Sequence, residues 1–330
     1  MKEIRIDHPH NEASALTAIH DHALLEAWGW DLAFWVVSDE KPARKAIAAL
    51  GRHADGTWSV TPLRAKLKAS ADGKPAEDCE TLTRAGSFIY VFGSHYGSKE
   101  GPLEPRRHFV ARFNESLVRK GKKSLHTDLD LARAPFVLHR LINDALRERK
   151  IALIAHDDSA ELDVRKKWKK LVHDGDHPIN VEGSTFLPNG HLLLGLRYPV
   201  TADGHPLLIE IERIDRLFEG KTPEIASAWI VQNVGTADAP AGVRELDARG
   251  AAIHLITGDI DDPALTRPPC GHHKIVARAR RRAAVYRVEA ERIRAFRRDQ
   301  HVEGIAVMDD GTVWYAYDDE QIRLAVAKLR

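Results

Sequence analysis

The chain has 330 residues, 43% of them hydrophobic and 29% charged, with a formal net charge of +1. That composition can build one large all-β domain or two ordinary ones, and its charge balance singles out neither nucleic acid nor a membrane surface as a partner. Two cysteines (Cys79 and Cys270) are too few for a disulfide framework, no stretch reaches the roughly 18 apolar residues of a membrane span, and Met1–Asp7 lacks an apolar secretion segment, so a cytoplasmic protein is expected.

Along the chain a glutamate five times opens a short segment that turns back into an almost wholly apolar strand. The first copy begins at Glu12 and reaches Leu32–Val37 through a long hairpin. The second runs from Glu80 through Gly86 into Phe88–Phe92 and on to Gly93-Ser94-His95. Next, Asp128 to Asp176 reads as a helical insertion: Phe136, Leu138, Leu141, Ile142, Ala145 and Leu146 recur at helical spacing, and a basic segment over Ala160–Val172 is a second helix candidate.

The third copy, Val181-Glu182-Gly183 to Arg197, turns on Asn189-Gly190, and the fifth, Val302-Glu303-Gly304 to Asp318, on Asp310-Gly311. Both dipeptides suit two-residue type I′ hairpins, which would set Glu182 opposite Arg197 and Glu303 opposite Asp318. Between them, Glu245 leads through Gly250 into Ile253–Ile256 and then Asp259. No clean two-residue turn fits the copies opened by Glu12, Glu80 and Glu245, so a bulge or longer loop is expected there.

The glutamates advance by 68, 102, 63 and 58 residues. Repeated antiparallel groups of this size predict an all-β protein, a β-propeller of five blades with the helical insertion at 128–176 and 1–330 as a single domain. Six blades are the alternative, with a strand hidden in Ile151–Ala155. The apolar strands are continuous runs, as expected when both faces are covered. His108–Phe113, Leu207–Ile211 and Ala284–Val288 supply outer strands, and Ile4–Ile6 closes the ring beside Leu324–Val326.

Radial repetition would gather Glu12, Glu80, Glu182, Glu245 and Glu303 at one mouth of the channel. Two bare carboxylates roughly 6 Å apart repel by about 3 kcal/mol at an effective dielectric near 20. Such a ring needs a cation, positive side chains or protonation. Oxygen-only ligands favour Ca²⁺, with Ser14, Ser184 and Asp247 as further oxygens; alternatively each glutamate hydrogen-bonds backbone at its strand start. His95 and Arg197 end their strands on the expected glutamate face and Arg106 and Arg107 follow His95 across a Gly/Pro-rich loop, so these groups could bind or polarise a small anionic substrate, with Asp259 or Asp318 as base. Arg197 could equally just pair with Glu182. Cys270-Gly271-His272-His273 reads as an exposed loop rather than zinc ligands. The arginine-rich stretch from Arg278 to Arg298 is interrupted by Glu289 and Glu291, so nucleic acid is not the expected partner.

Phe92-Gly93-Ser94-His95, Arg106-Arg107, Asn180-Val181-Glu182-Gly183 and Leu193-Leu194-Gly195-Leu196-Arg197 together resemble an uncharacterised bacterial family, domain of unknown function 3616, over about Glu12 to Asp319. By architecture and acidic ring alone the chain is also similar to calcium-dependent propeller hydrolases: phytase-like esterases, lactonases and calcium-activated apyrases. That likeness implies metal binding at the five glutamates. The function expected is metal-dependent hydrolysis of phosphate esters or lactone-like esters; the alternative is a propeller that binds a protein or small molecule on the same face without turnover.

Overall fold

The computed structural model describes residues 1–6, 13–39, 41–68, 76–97, 103–154, 175–262, 265–282, 284–319 and 322–329. After β1 (Lys2–Ile6), blade 1 runs outward through β2 (Ala15–Ala18), β3 (Trp30–Val37), β4 (Ile47–His53) and β5 (Trp58–Lys68). Helix α1 (His22–Trp28) is the long hairpin between β2 and β3, and α2 (Ala43–Ala46) precedes β4. Blade 2 comprises β6 (Cys79–Ala85), β7 (Phe88–Gly93), β8 (Phe109–Asn114) and β10 (Leu125–Arg133), with the short β9 (Arg119–Lys120) on the edge of β10.

Helix α3 (Val137–Glu148) separates this from blade 3, which is β11 (Asn180–Phe186), β12 (Leu192–Tyr198), β13 (Leu207–Glu212) and β14 (Glu224–Gln232). Blade 4 is β15 (Gly242–Arg249), β16 (Ala252–Gly258), β17 (Gly271–Arg282) and β18 (Val285–Ala295). Blade 5 is β19 (Val302–Val307), β20 (Thr312–Tyr317) and β21 (Ile322–Lys328), completed by β1 pairing antiparallel to β21 with Ile4 opposite Leu324.

The innermost strands β2, β6, β11, β15 and β19 pack neighbour on neighbour in that order, and β19 returns to β2. The fold is therefore a five-bladed β-propeller closed by its first strand. Outer strands also join blades in pairs, β5 parallel to β10 and β14 parallel to β18.

Each apolar run divides its side chains between two interfaces. Leu192, Leu194 and Leu196 of β12 pack with Tyr90 and Phe92 of blade 2, whereas Leu193 packs with Val243 and Leu246 of blade 4. Continuous hydrophobicity thus reflects cover on both faces. Glycine sets how closely blades approach: a Cβ at Gly195 would lie 2.4 Å from Val243 Cγ1.

The insertion begins later than expected. Asp128–Arg133 belongs to β10, whose pairing with β8 recruits residues the helical period seemed to claim. In α3, Leu138, Ile142 and Leu146 face the apolar seam between blades 2 and 3. The second helix candidate lies outside the described residues, as does Ala155. Within Ile151–Ala155 the described contribution is a single bridge from Leu153 to Thr201, not a sixth blade.

The hairpins reverse the expectation drawn from their turn residues. Leu187 N donates to His191 O at 2.8 Å, and Met308 N to Thr312 O at 2.8 Å, so both Asn-Gly and Asp-Gly sit in three-residue loops with only the glycine at positive φ. Pro188 prefers the first position of a type I turn, which pushes Gly190 into the bulge position. The two-residue turns are instead Gly86-Ser87 and Gly250-Ala251, in the copies that seemed irregular.

Candidate functional site

The inner hairpins of blades 2 to 5 each carry a bulge at the end far from the turn. The ladder slips between Cys79 and Thr81, between Val181 and Gly183, and between Val302 and Gly304. Glu80, Glu182 and Glu303 are the extra residues, each re-aimed out of the ladder as bulges do. In blade 4 the slip falls between Val243 and Glu245, so the extra residue is Arg244.

These residues line one cavity of about 530 Å³ together with Asp39, Asp78, Ser94, Tyr96, Arg107, Asn180, Arg197, Tyr198, Asp259, Asp261, Arg267, His301 and Asp318. Eight carboxylates there face four guanidiniums. The expectation that separate blades deliver acids to one mouth therefore holds for Glu80, Glu182 and Glu303.

The other assignments divide. Glu12 lies outside the described residues. Glu245 is turned away: its Oε1 accepts from Thr81 Oγ1 at 2.8 Å, Leu246 N at 2.8 Å and Ser184 N at 3.3 Å, which is the backbone-bonding alternative. Aligning the copies on the apolar residue before the acid (Cys79, Val181, Val243, Val302) would have revealed Arg244. Ser184 is committed to Thr81, and Asp247 accepts from Val307 N, both away from the cavity.

His95 is also a correction. Its φ of 58° breaks the strand alternation and turns the ring into the protein, 5.0 Å from His108, where burial lowers its pKa to about 4. Arg106 points outward to Glu77 at 2.6 Å, while Arg107 enters the cavity. Arg197, Asp259 and Asp318 line it as expected. The sequence reading missed Asp78, Arg244 and Arg267; for Asp78 the signal was a second acid two residues before Glu80.

Charge is balanced unevenly. Arg197 reaches Glu182 Oε1 at 2.8 Å and Asp259 Oδ1 at 3.1 Å. Arg244 Nη1 bridges Glu182 Oε2 at 3.0 Å and Glu303 Oε1 at 2.9 Å. Burial favours a neutral Arg244, but Glu182 and Glu303 outweigh it and hold the guanidinium well above its usual range. Burial of Asp259 is likewise outweighed by Arg244 and Arg197, which lower its pKa.

On the blade 2 side the balance reverses. Burial and then the charge of Asp78 push Glu80 well above the usual carboxylate range. Asp78, itself at a φ of 68°, is raised by burial to about 6 although Arg107 stands 3.1 Å away and Ser94 Oγ donates to it. Glu303 is raised by burial to about 8 against the pull of Arg244.

Ca²⁺ requires several oxygens converging at 2.3–2.6 Å. Among the described residues no three His, Cys, Asp or Glu side chains are grouped to hold a metal, and both oxygens of Glu182 already accept from arginines. These residues do not fit the expected calcium ring. Nor is any described helix long and apolar enough to cross a membrane.

No family model matches the chain, and no curated protein matches it. Among solved structures it is similar to a GH43 β-1,3-galactosidase determined with galactodeoxynojirimycin, at TM-score 0.49 and 10% identity over 98% of this chain and 94% of that one. It is also similar to an exo-1,5-α-L-arabinanase from a bovine ruminal metagenomic library, at TM-score 0.45 and 10% identity over 98% and 95%. A glucose dehydrogenase gives TM-score 0.43 and 10% identity over 100% of both chains. Likenesses this distant, spread over different reactions, carry no argument about chemistry.

Proposed function

We propose that the central cavity hydrolyses a neutral, oxygen-rich substrate, a lactone or a glycoside, by acid–base catalysis on carboxyl groups. The observation that carries this reading is that Asp78 and Glu80 line one cavity with unlike neighbours: Arg107 at 3.1 Å and Ser94 Oγ hold Asp78, whereas burial and the charge of Asp78 drive Glu80 toward its neutral form. Paired groups whose environments drive their pKa values apart are how one site keeps an acid and a base together near neutrality. Glu80 donates its proton to the departing oxygen. Ionised Asp78, held by Arg107, takes a proton from water as the water oxygen forms the new bond to carbon.

Asp259, fixed as a carboxylate by Arg197, contributes an ordered acceptor for substrate hydroxyls; its lowered pKa makes it a weaker base than Asp78. A phosphate ester suits this cavity less well, because carboxylates outnumber guanidiniums and Arg107, Arg197 and Arg244 each already face one. Kinship with domain of unknown function 3616 is likewise our proposal. What supports it is that Ser94, Arg107, Asn180, Glu182 and Arg197, drawn from the segments that carry the resemblance, share this cavity.

The test is turnover of panels of lactones, aryl glycosides and phosphate monoesters by the wild-type chain and Glu80→Gln. Hydrolysis of a neutral substrate that Glu80→Gln loses supports the reading. Ligand binding without turnover across all panels would favour the binding-module alternative, and turnover confined to phosphate esters would overturn the substrate class.

A further inference from the structure

We infer that Arg244 is the resident cation of the acidic ring: its guanidinium occupies the charge-neutralising place that a divalent ion would otherwise have to fill. This goes beyond the proposed reaction and does not depend on it.

Position is the first support. Arg244 is the extra residue of the β15 bulge, the same place in its blade that Glu182 and Glu303 hold in the blades on either side. Three adjacent inner strands thus present Glu, Arg, Glu. A repeat that elsewhere supplies an acid here supplies the opposite charge.

Bonding is the second. One nitrogen of Arg244 meets both flanking carboxylates, and Arg197 with Asn180 takes the remaining oxygen of Glu182. A divalent ion could reach Glu182 only by displacing a guanidinium that cannot deprotonate. Packing is the third. Arg244 is 6% exposed, and its stem lies against Gly258, where a Cβ would stand 3.1 Å from Nε and 3.2 Å from Cys270 Sγ. The glycine leaves room for the arginine stem; a larger residue would crowd it.

Charge balance is the fourth. Glu182 and Glu303 both stand within 3.0 Å of the Arg244 guanidinium, while among the described residues no cationic side chain pairs with Glu80, one blade beyond Glu182. Arg244 therefore places fixed positive charge in one half of the ring and not in the other.

The experiment compares melting curves of the wild-type chain and Arg244→Ser, each with chelator, with millimolar Ca²⁺ and with millimolar guanidinium, alongside metal analysis of the purified wild-type protein. The wild type should carry no stoichiometric divalent ion and should not shift with chelator or Ca²⁺. Arg244→Ser should melt lower by on the order of 10 °C and recover part of that loss with guanidinium or Ca²⁺. Arg244→Lys, which keeps a point charge, should fall by less. Stoichiometric Ca²⁺ in the wild type, or a chelator-induced drop in its melting temperature, would overturn the inference even if Arg244→Ser failed to fold. So would an Arg244→Ser variant that melts like the wild type.

Discussion

Glu80 and Glu182 occupy equivalent bulges on neighbouring inner strands, and their environments are opposite. Glu182 accepts from Arg197, Arg244 and Asn180 and is buried. Glu80 faces the same cavity beside Asp78, and burial with that neighbouring charge drives it toward its neutral form. One backbone geometry therefore yields a carboxyl bonded to two guanidiniums in blade 3 and a carboxyl driven toward its neutral form in blade 2. The difference comes from what the adjoining blade supplies, so a repeat motif alone does not define a residue's chemistry.

That contrast can be broken most sharply at Glu80. Glu80→Gln keeps shape and removes the transferable proton, and should lower kcat by roughly 10²–10⁴-fold while leaving the melting temperature unchanged or raised. A variant with wild-type kcat would remove Glu80 from the mechanism. Glu182→Leu should do the reverse: it strands two buried guanidiniums and should cost about 3–5 kcal/mol in urea denaturation. A loss below about 1 kcal/mol, the range of exposed pairs, would mean the network is solvated.

The pH dependence of stability sharpens the comparison further. Glu303 is raised to about 8 in the folded chain, so its contribution is fully present below the unfolded value near 4.3 and is lost as pH climbs through 8. Between pH 6.5 and 8 stability should fall by roughly 2 kcal/mol, one and a half units at about 1.36 kcal/mol each; Glu303→Gln should flatten that slope. On the acid side the signs oppose one another. His95 and His139, lowered by burial to about 4 and about 3, lose stability as pH drops below 6.5, while Asp78 at about 6 gains it. His139→Asn should therefore make the profile below pH 6.5 shallower, and an unchanged slope would mean that His139 is hydrated. The smallest effect is expected at Gly258→Ala, where the added methyl would stand 3.1 Å from Arg244 Nε and needs only a slight shift of its neighbours, a loss of about 1 kcal/mol or less in urea denaturation.

The sequence by itself determined the radial repeat, the five inner hairpins, the covered apolar strands and the closure of β1 on β21, because each follows from local periodicity and turn residues repeated along the chain. It also placed Glu80, Glu182, Glu303, Arg107, Arg197, Asp259 and Asp318 at one mouth. Only the tertiary structure decided the register. In blade 4 the bulge falls on Arg244, which exchanges Glu245 for Arg244, and a single left-handed residue turns His95 inward. Protonation was decided at the same level, since a carboxyl group's charge depends on which guanidiniums the next blades bring within a few ångströms, and no stretch of chain encodes that distance alone.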